Sequence, residues 1–186
     1  MLTGHARGLW PVVVATALPA GLDPWTVIAA ALVGAGATLS MDLWNAWLKR
    51  VFGIPSLNYC LLGRWLCHLG RGTLAHANIS AAAPVAGECA AGWAGHYSIG
   101  LGLSVVFAIV MPGWFARPTP WPAILYGLGT VVFPLFVLQP ALGFGIASAR
   151  TPNPRYARLK SLATHTVFGV GLYVWALLLG YFGPDL

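Results

Sequence analysis

Charge is what this sequence has least of. Among its 186 residues there are ten Lys or Arg and four Asp or Glu, so 8% of positions are charged, against roughly 25% in a soluble globular domain. A water-facing surface cannot be built from so few charges, which excludes an ordinary cytosolic enzyme. A nucleic-acid binder is excluded as well, despite a net charge of +6, because such a protein gathers Lys and Arg on one solvated face. Signatures of chemistry are also missing. There is no G-x-S-x-G elbow, no H-E-x-x-H, and no phosphate-cradling G-x-x-x-x-G-K-[ST]. Cysteine is scarce: Cys60, Cys67 and Cys89 are the complete set. They lie in or beside one loop and read as free thiols of a reducing compartment. His68 and His76 could join them as ligands, but the short paired spacing of a zinc site is absent, so no metal is expected.

What the chain has in excess is apolar residues, at 58%. Four runs reach the roughly 20 residues that cross a hydrocarbon core: about 25–48, 89–111, 121–142 and 161–182. Each is apolar on every side, whereas membrane β-strands alternate. The expected fold is therefore all-α, a polytopic membrane protein with four transmembrane helices in a bundle forming one domain over residues 25–186. Trp10, Trp25, Trp47, Trp93, Trp114, Trp121 and Tyr181 fall near the span ends, as an interfacial aromatic belt does. Residues 1–24 hold a shorter apolar stretch, 9–22, broken by Pro11 and Pro19. It reads as an interfacial or re-entrant segment, with a signal-peptide core or a fifth helix as alternatives.

Basic residues set an expected orientation. Lys49, Arg50, Arg64 and Arg71 lie between the first and second runs, and Arg150, Arg155, Arg158 and Lys160 between the third and fourth. Only Arg7 and Arg117 lie on the other side. The positive-inside rule then puts both long loops in the cytoplasm and both termini outside.

Small residues recur at helix-seam spacing: Gly92, His96, Gly100 and Ser104; His165 and Gly169; Ala30, Gly34 and Thr38. Such stripes let helix backbones approach closely in lipid, so Gly100→Leu is expected to destabilise more than Gly113→Leu, beyond the helix end. His96 to Leu103 and His165 to Leu172 share the pattern H-x-x-x-G-x-G-L, a hint of two hairpins in parallel repeat.

One chain of residues resembles a known family. Asp42-Leu-Trp44, Pro55-Ser-Leu-Asn-Tyr59, Gly63-Arg-Trp65 and His68 begin it. Gly87-Glu88, Gly92-Trp93, His96-Tyr97 and Gly100 continue it. Gln139-Pro140, the run from Ala147 to Pro152, His165 and Phe168-Gly169 complete it. The pattern is similar to the bacterial integral membrane family known as domain of unknown function 2938. The resemblance covers roughly residues 27–180, is most specific from Pro55 to His68, and departs from expectation at Cys67. It implies a four-helix inner-membrane protein and carries no established activity.

The remaining signal is polar chemistry at membrane depth. At 1.5 Å per residue, Asp42 lies about 9 Å inside its span end, His96 about 10 Å and His165 about 6 Å, with Gln139 in the last turn of the third span. Glu88 stands where the second span begins. Ionisable groups at such depth are costly and mark candidate sites. Asp42, Glu88, His96, Gln139 and His165 are the candidates for binding a ligand or passing protons, with structural pairing between Asp42 and a histidine as the plainer alternative. Loop candidates are Asn58, Arg64, His68 and Arg150. Arg64 and Arg71, with His68 and His76, could meet an anionic head group, or the arginines simply anchor lipid. His96 and His165 could ligate haem, with Gly92 and Gly100 leaving room for a flat macrocycle, although no C-x-x-C-H attachment pattern is present. Two functions follow: a small oligomeric permease or solute-binding protein, or a non-transporting subunit that binds haem, quinone or another membrane protein. Catalysis is the less expected outcome.

Overall fold

The computed structural model describes residues 23–182, so the stretch at 9–22 lies outside the described residues. Five helices carry the architecture: α1 (Pro24–Phe52), α2 (Tyr59–Leu69), α3 (Glu88–Val110), α4 (Pro120–Ala141) and α5 (Pro154–Phe182). No strand occurs among the described residues. α1, α3, α4 and α5 are long and apolar enough to cross a membrane; α2 is too short and packs against the first turns of α3.

Each helix begins and ends for a local reason. Asp23 caps α1 by accepting from the Thr26 amide at 2.8 Å, Pro24 occupies the first turn, and Gly53 closes the helix in the left-handed conformation at φ 68°. Hydrogen bonding to Thr26 holds the Asp23 carboxyl below its usual range. α5 starts seven residues before its expected boundary. Asn153 caps it by accepting from the Tyr156 amide at 3.2 Å and Pro154 opens it, so Arg155, Arg158 and Lys160 ride on helix that extends beyond the apolar run.

Glycines form the seams. A side chain at Gly34 would meet Ser104 and the Gly100 carbonyl, and one at Gly100 would meet Thr38, so α1 and α3 touch at backbone distance. Gly169 faces Ala123 and Ile124 of α4, and Gly171 faces Ala37 of α1. Around these seams Val33, Ala37, Phe107, Phe168, Leu172 and Ala176 make the main core. Apolar side chains on the outer faces, Leu32, Leu125, Val132 and Leu177 among them, are exposed, the surface a hydrocarbon solvent calls for.

Three expectations change here. Gly113 is a poor reference for Gly100, because its φ of 78° penalises any side chain whatever the space. Gly102, with open space around it, is the sound comparison. Trp114 does not join an aromatic belt: the α3–α4 connection folds back so that its ring lies in the core, 4.8 Å from Phe107, while its indole N–H donates to the Thr119 carbonyl at 3.1 Å. Trp25, Trp47, Trp93, Trp121 and Tyr181 are exposed, as a belt requires. Cys60 and Cys89 are not free thiols but a disulfide, and Cys67 alone is free. The cause is local. Gly63 of α2 meets the Glu88 carbonyl and Gly92 of α3 meets the Tyr59 carbonyl, so the helices close until the two cysteine Cα atoms are 3.9 Å apart.

Candidate functional site

α1, α2 and α3 bring three polar side chains together. The Tyr59 hydroxyl donates to Asp42 Oδ1 at 2.9 Å, and His96 Nε2 lies 3.1 Å from the same oxygen. Asp42 sits ten residues before the end of α1, about 15 Å at helical rise, deeper than its expected 9 Å because α1 continues to Phe52. Burial, then the adjoining Asp42 carboxylate, pushes the Tyr59 phenol well above its ordinary value, so it remains a donor. The Tyr59 ring also stacks on His96, with centroids 4.2 Å apart. With Nε2 turned to a carboxylate, His96 donates there and leaves Nδ1 as its other face.

His165 is held differently. Its Nδ1 lies 2.8 Å from Thr130 Oγ1, whose own proton goes to the Gly127 carbonyl. A hydroxyl has one proton, so Nδ1–H of His165 must be the donor, and its Nε2 carries the lone pair when the ring is neutral. His165 does not approach Asp42 through any hydrogen bond; Tyr59 and His96 bond to Asp42, and Tyr97 also lies close to its carboxylate.

Both imidazoles line one cavity of about 510 Å³ between the four long helices, within the range typical of small-molecule sites. Gln139 lines it too, its Oε1 accepting from the Ser148 hydroxyl at 2.7 Å. Pro55, Ser56, Leu57 and Thr151 are also on its wall, so it reaches the end of the bundle that bears the basic loops. α4 makes room for it. Pro134 has no N–H to give, and the helix widens into a π segment at Pro134–Leu138, a departure that often accompanies sites. Phe133, Pro134 and Leu138 face the space so created. Asp42 is not on the wall; it stands behind His96 and orients it.

The other candidates act as fasteners. Glu88 takes two bonds from Arg64, at 2.7 and 2.8 Å, and one from the Val85 amide. Arg64 also reaches the carbonyls of Ile79 and Ala82, and its bond to Glu88 holds the guanidinium firmly protonated. Arg64 is therefore committed to the protein rather than to a head group. Asn58 caps α2 by accepting from the Cys60 amide. His68 Nε2 lies 3.1 Å from the Ala83 carbonyl and its Nδ1 lies 2.8 Å from His76 Nε2. A carbonyl only accepts, so His68 donates to it and accepts from His76. Arg150 is exposed and off the cavity wall. The loop they secure docks on the end of α4, where the His76 and Ile79 amides donate to the Ala141 and Leu142 carbonyls.

The expected space for a macrocycle beside His96 is occupied: Gly92 is filled by α2 backbone and Gly100 by Thr38. Three cavity or orienting residues escaped the sequence reading. In the sequence Lys160 signals only orientation, Tyr59 stands out only as part of a resemblance, and Thr130 carries no signal. Helical spacing from His165 could have flagged Ser161 and Lys160 on the same wall.

No curated protein and no solved structure matches the chain. A family model does match, over residues 31–179, and spans the whole site just described. With that extent of agreement the chain belongs to the family described as "Protein of unknown function (DUF2938)".

Proposed function

We propose that this is a multi-pass inner-membrane protein that binds a small solute in the cavity between its four spans, and that it works as a small permease in oligomeric form. The observation that carries this reading is the shared cavity itself. Two oriented imidazoles and Gln139 converge on it from three helices, while most of its remaining wall is apolar, the usual composition of a ligand site. An oligomer enters because four short spans are few for a complete path. A screen of solutes against thermal unfolding of the purified protein tests binding, and uptake into proteoliposomes tests transport. Stabilisation by no solute, together with no uptake, would remove the proposal.

The alternative is a non-transporting subunit holding a quinone, which draws on the same two histidines, whose second nitrogens are left for a ligand; haem is disfavoured because α2 backbone and Thr38 fill the space at Gly92 and Gly100. Ultraviolet absorbance of a solvent extract separates the two: a quinone spectrum that co-purifies with the protein selects the subunit.

The orientation proposed has the basic loops in the cytoplasm and both termini outside, by eight basic residues to two. The Cys60–Cys89 bond lies at that same basic end and opposes the charge balance, because such bonds persist in oxidising compartments and are rare in the cytoplasm. A cytoplasm-dependent fluorescent tag at the C-terminus should stay dark. A bright tag reverses the orientation and puts the disulfide outside.

A further inference from the structure

Resting on the solute-binding reading, we propose that the cavity takes a monoanionic amphiphile, with its carboxylate at Lys160 and its hydrocarbon chain along the apolar wall. Acidic side chains are few in the chain: Asp23, Asp42, Glu88 and Asp185 are all of them. Asp42 is taken by Tyr59 and His96, Glu88 by Arg64, and Asp23 caps the start of α1. Among the described residues no carboxylate lies within ion-pair distance of Lys160. Lys160 nevertheless is half-buried on the cavity wall, and its ammonium donates to one protein acceptor, the Pro55 carbonyl. An ammonium has three N–H donors, so two remain. A partly desolvated cation without a counter-ion is costly to hold, and an anion arriving in the cavity relieves that cost.

The neighbourhood fits a head group. Ser161 and Thr164, one and four residues on from Lys160, place hydroxyls on the same wall. Beyond them Leu62, Ile99, Leu103, Leu138 and Phe168 line the space, which suits an alkyl chain and would not suit a second charge. Lys160 is the cavity wall's one Lys or Arg among the described residues, and Arg158 is turned to the Ala147 carbonyl. A single cation matches a carboxylate better than a dianionic phosphate.

The test uses the full chain in phosphatidylcholine nanodiscs and calorimetric titration with octanoate, octan-1-ol and octylamine, with empty discs subtracted. Octanoate should bind about tenfold more tightly than the alcohol and the amine. Lys160→Met should abolish that preference and Lys160→Arg should keep it. Equal binding of the three probes to the unaltered protein, or a preference that survives Lys160→Met, overturns the proposal. Suppression of octanoate binding in phosphatidylglycerol discs assigns the site to a lipid phosphate and overturns it also. Thr164→Trp, which fills the cavity, separates this failure from a wider one. If the three probes bind equally and all are lost in Thr164→Trp, the anion is wrong and solute binding stands. If Thr164→Trp leaves all three unaffected, the cavity is not where solutes bind and both readings fall.

Discussion

α3 and α5 carry the same eight-residue pattern, H-x-x-x-G-x-G-L, and the bundle uses the two copies differently. In α3, His96 is oriented by a carboxylate and a phenol, and the helix is fastened to α2 by the Cys60–Cys89 bond and the Arg64–Glu88 pair. In α5, His165 is oriented by the hydroxyl of Thr130, and α4 is held by that bond and by close packing, Gly127 against Gly169 and Gly169 against Ala123 and Ile124. Even the glycines exchange duties. Gly100 is pressed on Thr38 while Gly102 faces open space, whereas Gly169 and Gly171 are both occupied, by α4 and α1. Helical spacing fixes which residues share a side; the neighbouring helix decides what that side does. One corner is covalent and ionic, the other neutral and steric.

The largest effect should come from cutting the covalent corner. The disulfide closes a separation of 29 residues, for which chain entropy gives about 3–4 kcal/mol. Cys60→Ser with Cys89→Ser should lower thermal stability in detergent substantially, and reductant should do the same to the unaltered protein while sparing the double variant. Equal response of both to reductant would show that the bond is not what joins α2 to α3.

Next comes the seam. Gly100→Leu should cost about 1–3 kcal/mol by overpacking against Thr38, and Gly102→Leu within about 0.5 kcal/mol, as an unobstructed substitution. Matching losses in the two variants would deny that the α1–α3 approach depends on Gly100.

A third test addresses the polar groups. In a double-mutant cycle Asp42→Asn and His96→Ala should couple by about 0.5–3 kcal/mol, while Asp42→Asn and His165→Ala should be additive. Strict additivity in the first cycle would dissolve the Asp42–His96 contact. The smallest effect belongs to the neutral corner: Thr130→Val with His165→Ala should couple by about 0.6 kcal/mol, the average for hydrogen bonds between membrane helices. A larger coupling there than at Asp42 would erase the distinction between the two corners.

Much of this architecture is legible in the residues. Uninterrupted apolar runs with few charges can only be spanning helices, and the small-residue stripes lie on the seams they suggest. The start of α5 was hidden because a helix capped by Asn153 and Pro154 continues through arginines that hydropathy counts as loop. The disulfide was hidden for a different reason. Cysteines 29 apart meet only once Gly63 and Gly92 have brought two backbones together, and spacing along the chain carries no trace of that. Asp42 and His96 were recognisable as buried polar groups in need of partners. Tyr59 as the third member was not, since it comes from a helix too short to register as a span. Lys160 has the same difficulty in reverse: a cation near a span end looks like a topology marker whether it faces the lipid surface or a cavity.

The widened stretch of α4 has a consequence in time rather than in space. A proline in mid-span removes one rung of the helical ladder, and the π segment lengthens the next few. α4 therefore comprises two short helical pieces joined at their weakest rungs, while α1, α3 and α5 are continuous. Local opening draws on the least cooperative part of a structure, so among the four long helices amide exchange within the span should be fastest in α4 between Thr130 and Gln139. The wall of the cavity is thus built on the least regular stretch of the four spans.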